Sequence, residues 1–530
     1  MSAISNRKWY SVYPKDMDID PYIPEDTLYA LLKETVTRFG NRTAIIYDEK
    51  QISYRQLLDV VNRLANAWNS LGLKKGERIG LMVSNQPDYI IAYYAAMQLG
   101  LIVVQINPNY TARELLQITI DAQMKYIICE ANHIEKVGDI AKTFSFAHVF
   151  VVGENTSEGI SLDSLIETYE PSEKRAPIIV REDIAVIQYT GGTSGVVKGA
   201  MLTHYNLVAN VIQSYTMYGK EMYVGKETVL TTLPLYHVYA MTSAMNLGVY
   251  IGATNIVIQQ FQVDTVLKEI KRYQPTFFPG VPRIYNALIS HPDIKNYGLN
   301  CFKFCSSGSA PLPVEVLRKF EKITGAVIGE GFGLSEASPS THRNPSTGKR
   351  KIGSIGLPLP GTDCIIVDND NQELPENAVG ELLIRGPQVM KGYWNNQEET
   401  NKALKNNWLY TGDLAMYDED GFFYIVGRKK EMIINGGFNI YPQEVENILY
   451  EHPDVKECAV IGIPDLEKGE VVKAFIVPKE GAVLDVEEVK GFCYRNLTPY
   501  KVPKNYELIP ALPRNTVGKI LKRRLVDRGE

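Results

Sequence analysis

The densest chemistry in the chain lies in Tyr189-Thr-Gly-Gly-Thr-Ser-Gly-Val-Val-Lys-Gly, residues 189–199. Gly191, Gly192, Gly195 and Gly199 let the backbone take positive φ and come close to a ligand. Successive N–H groups in such a turn form an anion nest. Thr190, Thr193 and Ser194 add hydroxyl donors and Lys198 adds a point charge. The set suits a polyphosphate; the plainer alternative is a Gly/Ser surface loop. It is not a Walker-type loop, which needs Gly-Lys-Ser/Thr opening a helix. Here Val197 precedes Lys198 and Gly199 follows it, and the strand-like Ala185-Val-Ile-Gln leads in.

Other segments carry candidate groups whose residues alone leave two readings open. Gly308, Ser309 and Ala310 are small enough for a flat base to lie against the backbone, and Phe332 offers a ring to stack on it. Gly329-x-Gly331-x-Gly333 lacks the G-x-G-x-x-G spacing of a dinucleotide fingerprint. Glu336 reads first as a helix-start carboxylate, and second as a hard-oxygen ligand for Mg²⁺. Asp413 reads equally as a turn aspartate after Gly412 or as a carboxylate accepting from both hydroxyls of a ribose. Arg428 adjoins Lys429 and Lys430 and reads first as a solvated basic turn. Lys519, near Lys522, Arg523 and Arg524, reads as a basic helix end. His237 sits in a long apolar stretch and reads first as a core histidine. Gly436-Gly437 suits a tight turn, a close approach to a thin ligand chain, or both.

Together these motifs resemble those of the adenylate-forming superfamily, which holds acyl- and aryl-CoA ligases, luciferases and peptide-synthetase adenylation domains. Tyr189–His204 is similar to its signature loop, and the remaining motifs follow in the same order along essentially the whole chain. The likeness is greatest to bacterial long-chain fatty-acid–CoA ligases. The chain departs from the common pattern at Val197, where many members have Pro, at Phe332, where most have Tyr, and at Ser335, which replaces Thr and keeps the hydroxyl.

The resemblance implies a fold and a set of roles. A large α/β N-terminal domain, residues 1–427, would bind nucleotide and acyl group, and a small mobile α+β domain, 428–530, would rotate about a hinge near Gly427–Lys430. Thr190 to Lys198 would hold the triphosphate of ATP, with Thr193 at the reacting phosphates and Thr190 and Glu336 on Mg²⁺. Gly308–Ala310, Glu330, Gly331, Phe332, Gly333 and Ser335 would form the adenine side, Asp413 would hold the ribose, and Arg428 the ribose and phosphate. His237 would orient the reacting carboxylate, and Lys519 would stabilise charge in the adenylation transition state. Gly436 and Gly437 would line the pantetheine tunnel of coenzyme A. The expected reaction joins a medium- to long-chain fatty acid to AMP, expels pyrophosphate, and passes the acyl group to the thiol of coenzyme A. The expected partners are fatty acid, ATP and coenzyme A, with a homodimer and peripheral contact with the inner face of a membrane as further expectations.

Rival readings differ at named residues. An aryl or short-acid ligase would share every motif above. An amino-acid-activating domain needs an acid in the acyl pocket, and Thr228–Val263 contains no Asp, Glu, Lys or Arg. A nucleotide-binding regulator without chemistry would not need Lys519. A membrane-embedded protein is suggested only by the uncharged stretch, which Pro234, His237, Asn246, Asn255 and several Gln interrupt. A buried helix followed by a strand is the expectation there.

The elements that must position these groups follow from pattern. Asp26 is the expected cap of a helix with Leu28, Leu31, Leu32, Val36 and Phe39 on one face. Ala44–Tyr47 and Gln51–Tyr54 read as a hairpin, and Ser53 caps a second helix carrying Leu57, Leu58, Val61, Leu64 and Trp68. Strands at 78–83, 102–106 and 126–129 alternate with helices at 89–98 and 114–123, which argues for layered, largely parallel α/β structure. After the Asp418-Glu-Asp-Gly turn the pattern changes to short strands at 423–426, 458–463 and 471–477 with helices at 442–450 and 486–496. The composition is that of an ordinary globular chain: 530 residues, 45% hydrophobic, 22% charged. A net charge of −5 gives no bias toward nucleic acid. Six scattered cysteines fit free thiols in a reducing cytoplasm better than zinc, and the first residues lack the apolar run of a signal peptide.

Overall fold

The computed structural model of the chain describes residues 7–153, 158–190, 197–514 and 519–526. Packing divides the chain into two compact units, Met1–Asp363 with Ile384–Leu409, and Cys364–Leu383 with Tyr410–Glu530.

Local signals start the helices of the first unit. Helix Leu28–Phe39 is capped by Thr27, whose hydroxyl accepts from Ala30 N at 3.1 Å, so the cap falls one residue after the expected Asp26. Thr27 has the extended dihedrals of an N-cap residue, which aim its oxygen at the first turn. Ser53 and Gln56 form the reciprocal box that opens helix Tyr54–Ser70; such a cap contributes ~1 kcal/mol. Leu57, Val61, Leu64 and Trp68 of that helix are fully buried, each stabilising by about 1.5–3 kcal/mol. Helix Pro87–Leu99 is buried on all sides from Tyr89 onward, so its tyrosine hydroxyls must find partners inside. Tyr89 Oη lies 2.7 Å from Gln105 Oε1 and 2.8 Å from the Leu235 carbonyl, and Tyr94 donates to Asn246 Oδ1 at 3.0 Å. The contact with Leu235 ties the helix to the segment that carries His237.

Two large sheets make the frame of this unit. One has nine strands, with Thr43–Tyr47, Thr254–Val257, Thr228–Thr231, Phe277–Gly280, Phe304–Ser307 and Val327–Gly333 running parallel in that spatial order. The other has eight, with Ile102–Gln105, Arg78–Met82, Tyr126–Glu130 and His148–Val152 parallel, and the antiparallel pair Ile184–Thr190 and Lys198–Thr203 beside them. The parallel α/β layers expected from the alternating pattern are present. Thr228–Val263 contributes a strand, a helical run from Val238 to Tyr250 with a π-helical middle, Met241–Asn246, and a second strand, Thr254–Val257. The expected helix and strand are there, preceded by one more strand. Among the described residues no helix is long and apolar enough to cross a membrane.

The second unit is α+β. A sheet orders Phe438–Ile440, Ile433–Asn435, Gly469–Pro478 and Val455–Asp465, and Asn505–Leu508 lies parallel on Gly469–Pro478. Helices Pro442–Tyr450 and Val486–Asn496 end where the sequence pattern ends. They bury Val445, Leu449, Val489 and Cys493 against Val460, Val472 and Ala474 of the sheet. All six cysteines of the chain are free thiols.

Candidate active site

Ile184–Thr190 and Lys198–Thr203 pair so that Thr190 faces Lys198 and Tyr189 faces Gly199. The two flanks of the glycine loop are therefore neighbours on a β-ladder, and the chain leaves the loop as a strand, unlike a Walker loop. Gly191, Gly192, Thr193, Ser194 and Gly195 lie outside the described residues. Of the flanks, Gly199 has a steric reason for its type. A Cβ there would stand 2.6 Å from Ile187 Cγ2 and 3.1 Å from Tyr189 Cζ. The Tyr189 ring crosses this point because its hydroxyl reaches the Asp121 carboxylate. Burial, and then that carboxylate, raise the phenol pKa well above its ordinary value. Thr190 Oγ1 donates to the Lys198 carbonyl at 3.4 Å.

The Lys198 ammonium is ion-paired with Glu399 and lies 5.3 Å from the centroid of the Tyr393 ring. Glu399 also takes Lys402 at 2.8 Å. Its hydrogen bonds with Lys198 and Lys402 hold its carboxyl down at about 2. Glu336 sits on the short 3₁₀ turn Ser335–Ala337, not at the start of a longer helix. Tyr393 Oη donates to Glu336 Oε1 at 2.8 Å. Among the described residues no group of three or more His, Cys, Asp or Glu could cage a metal. Mg²⁺ does not ask for one, since it keeps several waters and takes one or two carboxylates plus substrate phosphates. A single oriented carboxylate close to Lys198's ring partner fits that manner of binding.

The candidate adenine residues come together at one end of the nine-stranded sheet. Ser306 faces Gly329 and Ser307 faces Glu330 across a parallel ladder. Gly308–Ala310 therefore leave the sheet at its carboxyl end, beside Gly331–Gly333, and carboxyl ends are where open α/β sheets take ligands. Ser309 and Ala310 are exposed, and Phe332 is half-buried with its ring edge-on to His342 at 6.1 Å. Glu330 is turned inward: its carboxylate accepts from Gly353 N at 3.1 Å, and burial raises its pKa. Gly331 would meet the His342 carbonyl at 3.0 Å if it bore a Cβ.

The same sheet end holds His237, which follows strand Thr228–Thr231 and caps the helical run after it. Its Nδ1 accepts from Tyr239 N at 3.3 Å, and the residue is half-buried, not sealed in the core. Tyr239, two residues on, reaches back across the sheet. Its Oη lies 3.0 Å from Ser306 Oγ and donates to the Gly280 carbonyl at 3.3 Å. The π-helical turns begin at Met241, whose fully buried sulfur accepts from Gln105 Nε2 at 3.0 Å.

In the second unit, Asp413 and Arg428 face each other across an antiparallel ladder. Arg428 Nε lies 2.8 Å from Asp413 Oδ1, and the Asp413 side chain is only 4% exposed. Arg428 Nη1 also donates to the Thr411 carbonyl at 3.3 Å. Arg428 is thus anchored and not a solvated turn. Lys519 is placed by flanking residues: Arg514 bridges Ile520, Leu521 N donates to Pro513 O at 2.8 Å, and Ile520 packs on the cluster of Ile461, Phe475, Leu512 and Leu525. Lys519 keeps solvent access, yet its ammonium pKa is lowered, first by desolvation and then by Arg428, with Asp413 and Glu431 opposing. Gly436 and Gly437, at φ +58° and +86°, make the two-residue turn that joins Ile433–Asn435 to Phe438–Ile440. Both central φ values are positive, as type I′ hairpins require.

Tyr393 and Glu399 escaped the sequence reading. Tyr393 is 57 residues from Glu336 and Glu399 is 201 from Lys198, and no spacing rule links such partners.

With this geometry in view, comparison places the chain. The pattern of AMP-binding enzymes matches residues 32–394, and that of the AMP-binding enzyme C-terminal domain matches 444–519. The chain belongs to the AMP-binding enzyme family. It is 42% identical to a long-chain-fatty-acid–CoA ligase of Bacillus subtilis, over 99% of this chain and 98% of that one. It is 36% identical to the Salmonella typhimurium protein of the same description, over 98% of each. Crystalline ATP-bound MatB from Rhodopseudomonas palustris superposes with a TM-score of 0.88 at 30% identity, covering 97% of this chain and 99% of that one.

Proposed function

We propose that the protein is an AMP-forming acid–thiol ligase that activates medium- to long-chain fatty acids with ATP and transfers the acyl group to coenzyme A. The observation that carries this reading is the 42% identity, held over 99% of the chain, to a long-chain-fatty-acid–CoA ligase.

The residue roles are our assignment. Thr190, Gly191, Gly192, Thr193, Ser194, Gly195 and Lys198 hold the triphosphate. Gly308, Ser309, Ala310, Gly331, Phe332, Gly333 and Ser335 take the adenine side, where an exposed backbone at a sheet end supports the reading. Glu330 serves that side by bracing its strand to Gly353. Asp413, held by Arg428, accepts from the ribose hydroxyls. His237 orients the fatty-acid carboxylate, and the buried wall from Val238 to Val249 lies along the tail. Mg²⁺, when bound through Glu336 and Thr190, neutralises charge on the phosphoryl oxygens. Lys519 stabilises the charge spread over the carboxylate and α-phosphate as pyrophosphate leaves. The coenzyme A thiol then displaces AMP, with Gly436 and Gly437 beside the pantetheine arm. A rotation of residues 428–530 about Gly427–Lys430 lets Lys519 and the Gly436-Gly437 turn serve successive steps. A cytoplasmic location, peripheral contact with the inner membrane face and a homodimer belong to the same proposal, with vesicle flotation and light scattering as their tests.

The decisive assay incubates the protein with ATP, Mg²⁺, coenzyme A and acids of graded length and measures AMP release. Release that rises from short to long chains is expected. Turnover confined to short or aromatic acids would replace the fatty-acid reading with that of an aryl or short-acid ligase.

A further inference from the structure

Residues Met390–Thr400 touch Lys198, Gly199 and Glu336 of the phosphate machinery in the first unit. Met390 N donates to the Glu336 carbonyl at 2.8 Å, Lys391 N to the Met201 carbonyl at 2.9 Å, and Trp394 N to the Gly199 carbonyl at 2.8 Å. Gly392 and Tyr393 pair antiparallel with Met201 and Ala200, which adds a short edge strand beside the one that carries Lys198. The Tyr393 amide is pinned from the other side by Thr400 Oγ1 at 2.8 Å. Gly392, at φ +143°, leaves no room for a Cβ, which would stand 2.8 Å from Thr400 Cγ2. Both backbone neighbours of Tyr393 are therefore fixed, and the residue is only 8% exposed. Its ring lies under the Lys198 ammonium and its hydroxyl donates to Glu336 Oε1 at 2.8 Å.

We propose that Tyr393 is a positioning residue for the magnesium ligand: its hydroxyl fixes the Glu336 carboxylate by one oxygen and so presents the other, Oε2, to Mg²⁺. The inference rests on the assignment of Glu336 to the metal and adds to it the group that aims it. A carboxylate on a short 3₁₀ turn has little rotamer restraint of its own. A hydrogen bond from a rigid, buried phenol removes the torsional freedom that metal binding would otherwise have to remove. Ligating carboxylates are commonly held by such outer partners, whose loss weakens metal affinity by roughly 10–100-fold.

The test compares the wild-type protein with Tyr393→Phe and Glu336→Gln. Two readouts are used: calorimetric ATP binding across an Mg²⁺ titration and in EDTA, and Mn²⁺ binding in the presence of ATP by electron paramagnetic resonance. Phenylalanine keeps the ring and its packing, so folding and the Lys198 contact persist. The expected result for Tyr393→Phe is an increase of roughly tenfold in the half-saturating Mg²⁺ and Mn²⁺ concentrations, with ATP affinity in EDTA unchanged. Three outcomes overturn the proposal. A shift in Glu336→Gln without one in Tyr393→Phe removes Tyr393 alone. No shift in Glu336→Gln removes the metal assignment itself. A loss of ATP affinity in EDTA equal to that in Mg²⁺ makes the tyrosine a structural residue and not a positioning one.

Discussion

Glu399 neutralises the lysine assigned to the triphosphate, so nucleotide must compete with it. The pair is about three-quarters buried on each side, with side-chain exposures of 22% for Lys198 and 26% for Glu399. Partly exposed ion pairs contribute about 0.2–1 kcal/mol, and this burial places the pair near the upper end. The isosteric change Glu399→Gln removes the charge, keeps an acceptor and leaves the helix cap made by Asn396 intact. Lys402 loses part of its pairing but retains Glu398 at 2.7 Å. Releasing up to about 1 kcal/mol from the competing pair corresponds to binding tighter by about fivefold, since 1.4 kcal/mol is tenfold. Calorimetry with Mg²⁺·ATP is expected to show a two- to fivefold lower Kd, shrinking as salt rises because screening weakens the competing pair. Because the Glu399 carboxyl titrates near 2, the difference is expected to be flat from pH 5 to 8. Lys198→Ala is the control and is expected to weaken binding. Weaker ATP binding by Glu399→Gln would refute the reasoning, because it would mean that the carboxylate aims the lysine and does not compete for it.

Asp413→Asn removes a nearly sealed carboxylate and its charge-assisted bond to Arg428. Such bonds contribute about 1.5–3 kcal/mol, so ATP affinity by equilibrium binding is expected to fall at least tenfold. Lys430→Pro, in the 3₁₀ turn Lys429–Glu431, is expected to impair acyl-CoA formation more than pyrophosphate exchange, and equal losses would count against the hinge. Acid stability provides a fourth check. Burial lowers the His204 pKa to about 4 and the His342 pKa to about 3. Between an unfolded value near 6.5 and these, the unfolded chain binds protons that the folded chain does not. Stability therefore falls as pH drops through that window, by at most about 1.4 kcal/mol per unit for each histidine. Thermal unfolding between pH 7 and 5 is expected to show a shallower slope in His342→Gln.

What the sequence determined by itself was local. Ser53-x-x-Gln56 announces a helix start because both partners lie within one turn, and helices 442–450 and 486–496 follow from apolar periodicity. Gly436-Gly437 is readable as a turn because glycine takes at no steric cost the positive φ that two-residue hairpins ask for. The motif resemblance supplied the family and, through it, the role of Lys519, whose bare surroundings argue for a basic helix end, and the choice between two equal readings at Asp413. Tertiary structure decided the rest. Arg428 stops being a solvated basic turn once strand pairing sets it opposite Asp413. Glu336 acquires Tyr393, and Lys198 acquires Glu399, only because a strand from beyond residue 390 adds to the edge of the loop's own hairpin. Such partners are chosen by the register of a sheet edge. Register depends on packing across the whole unit, and no local window of sequence contains it.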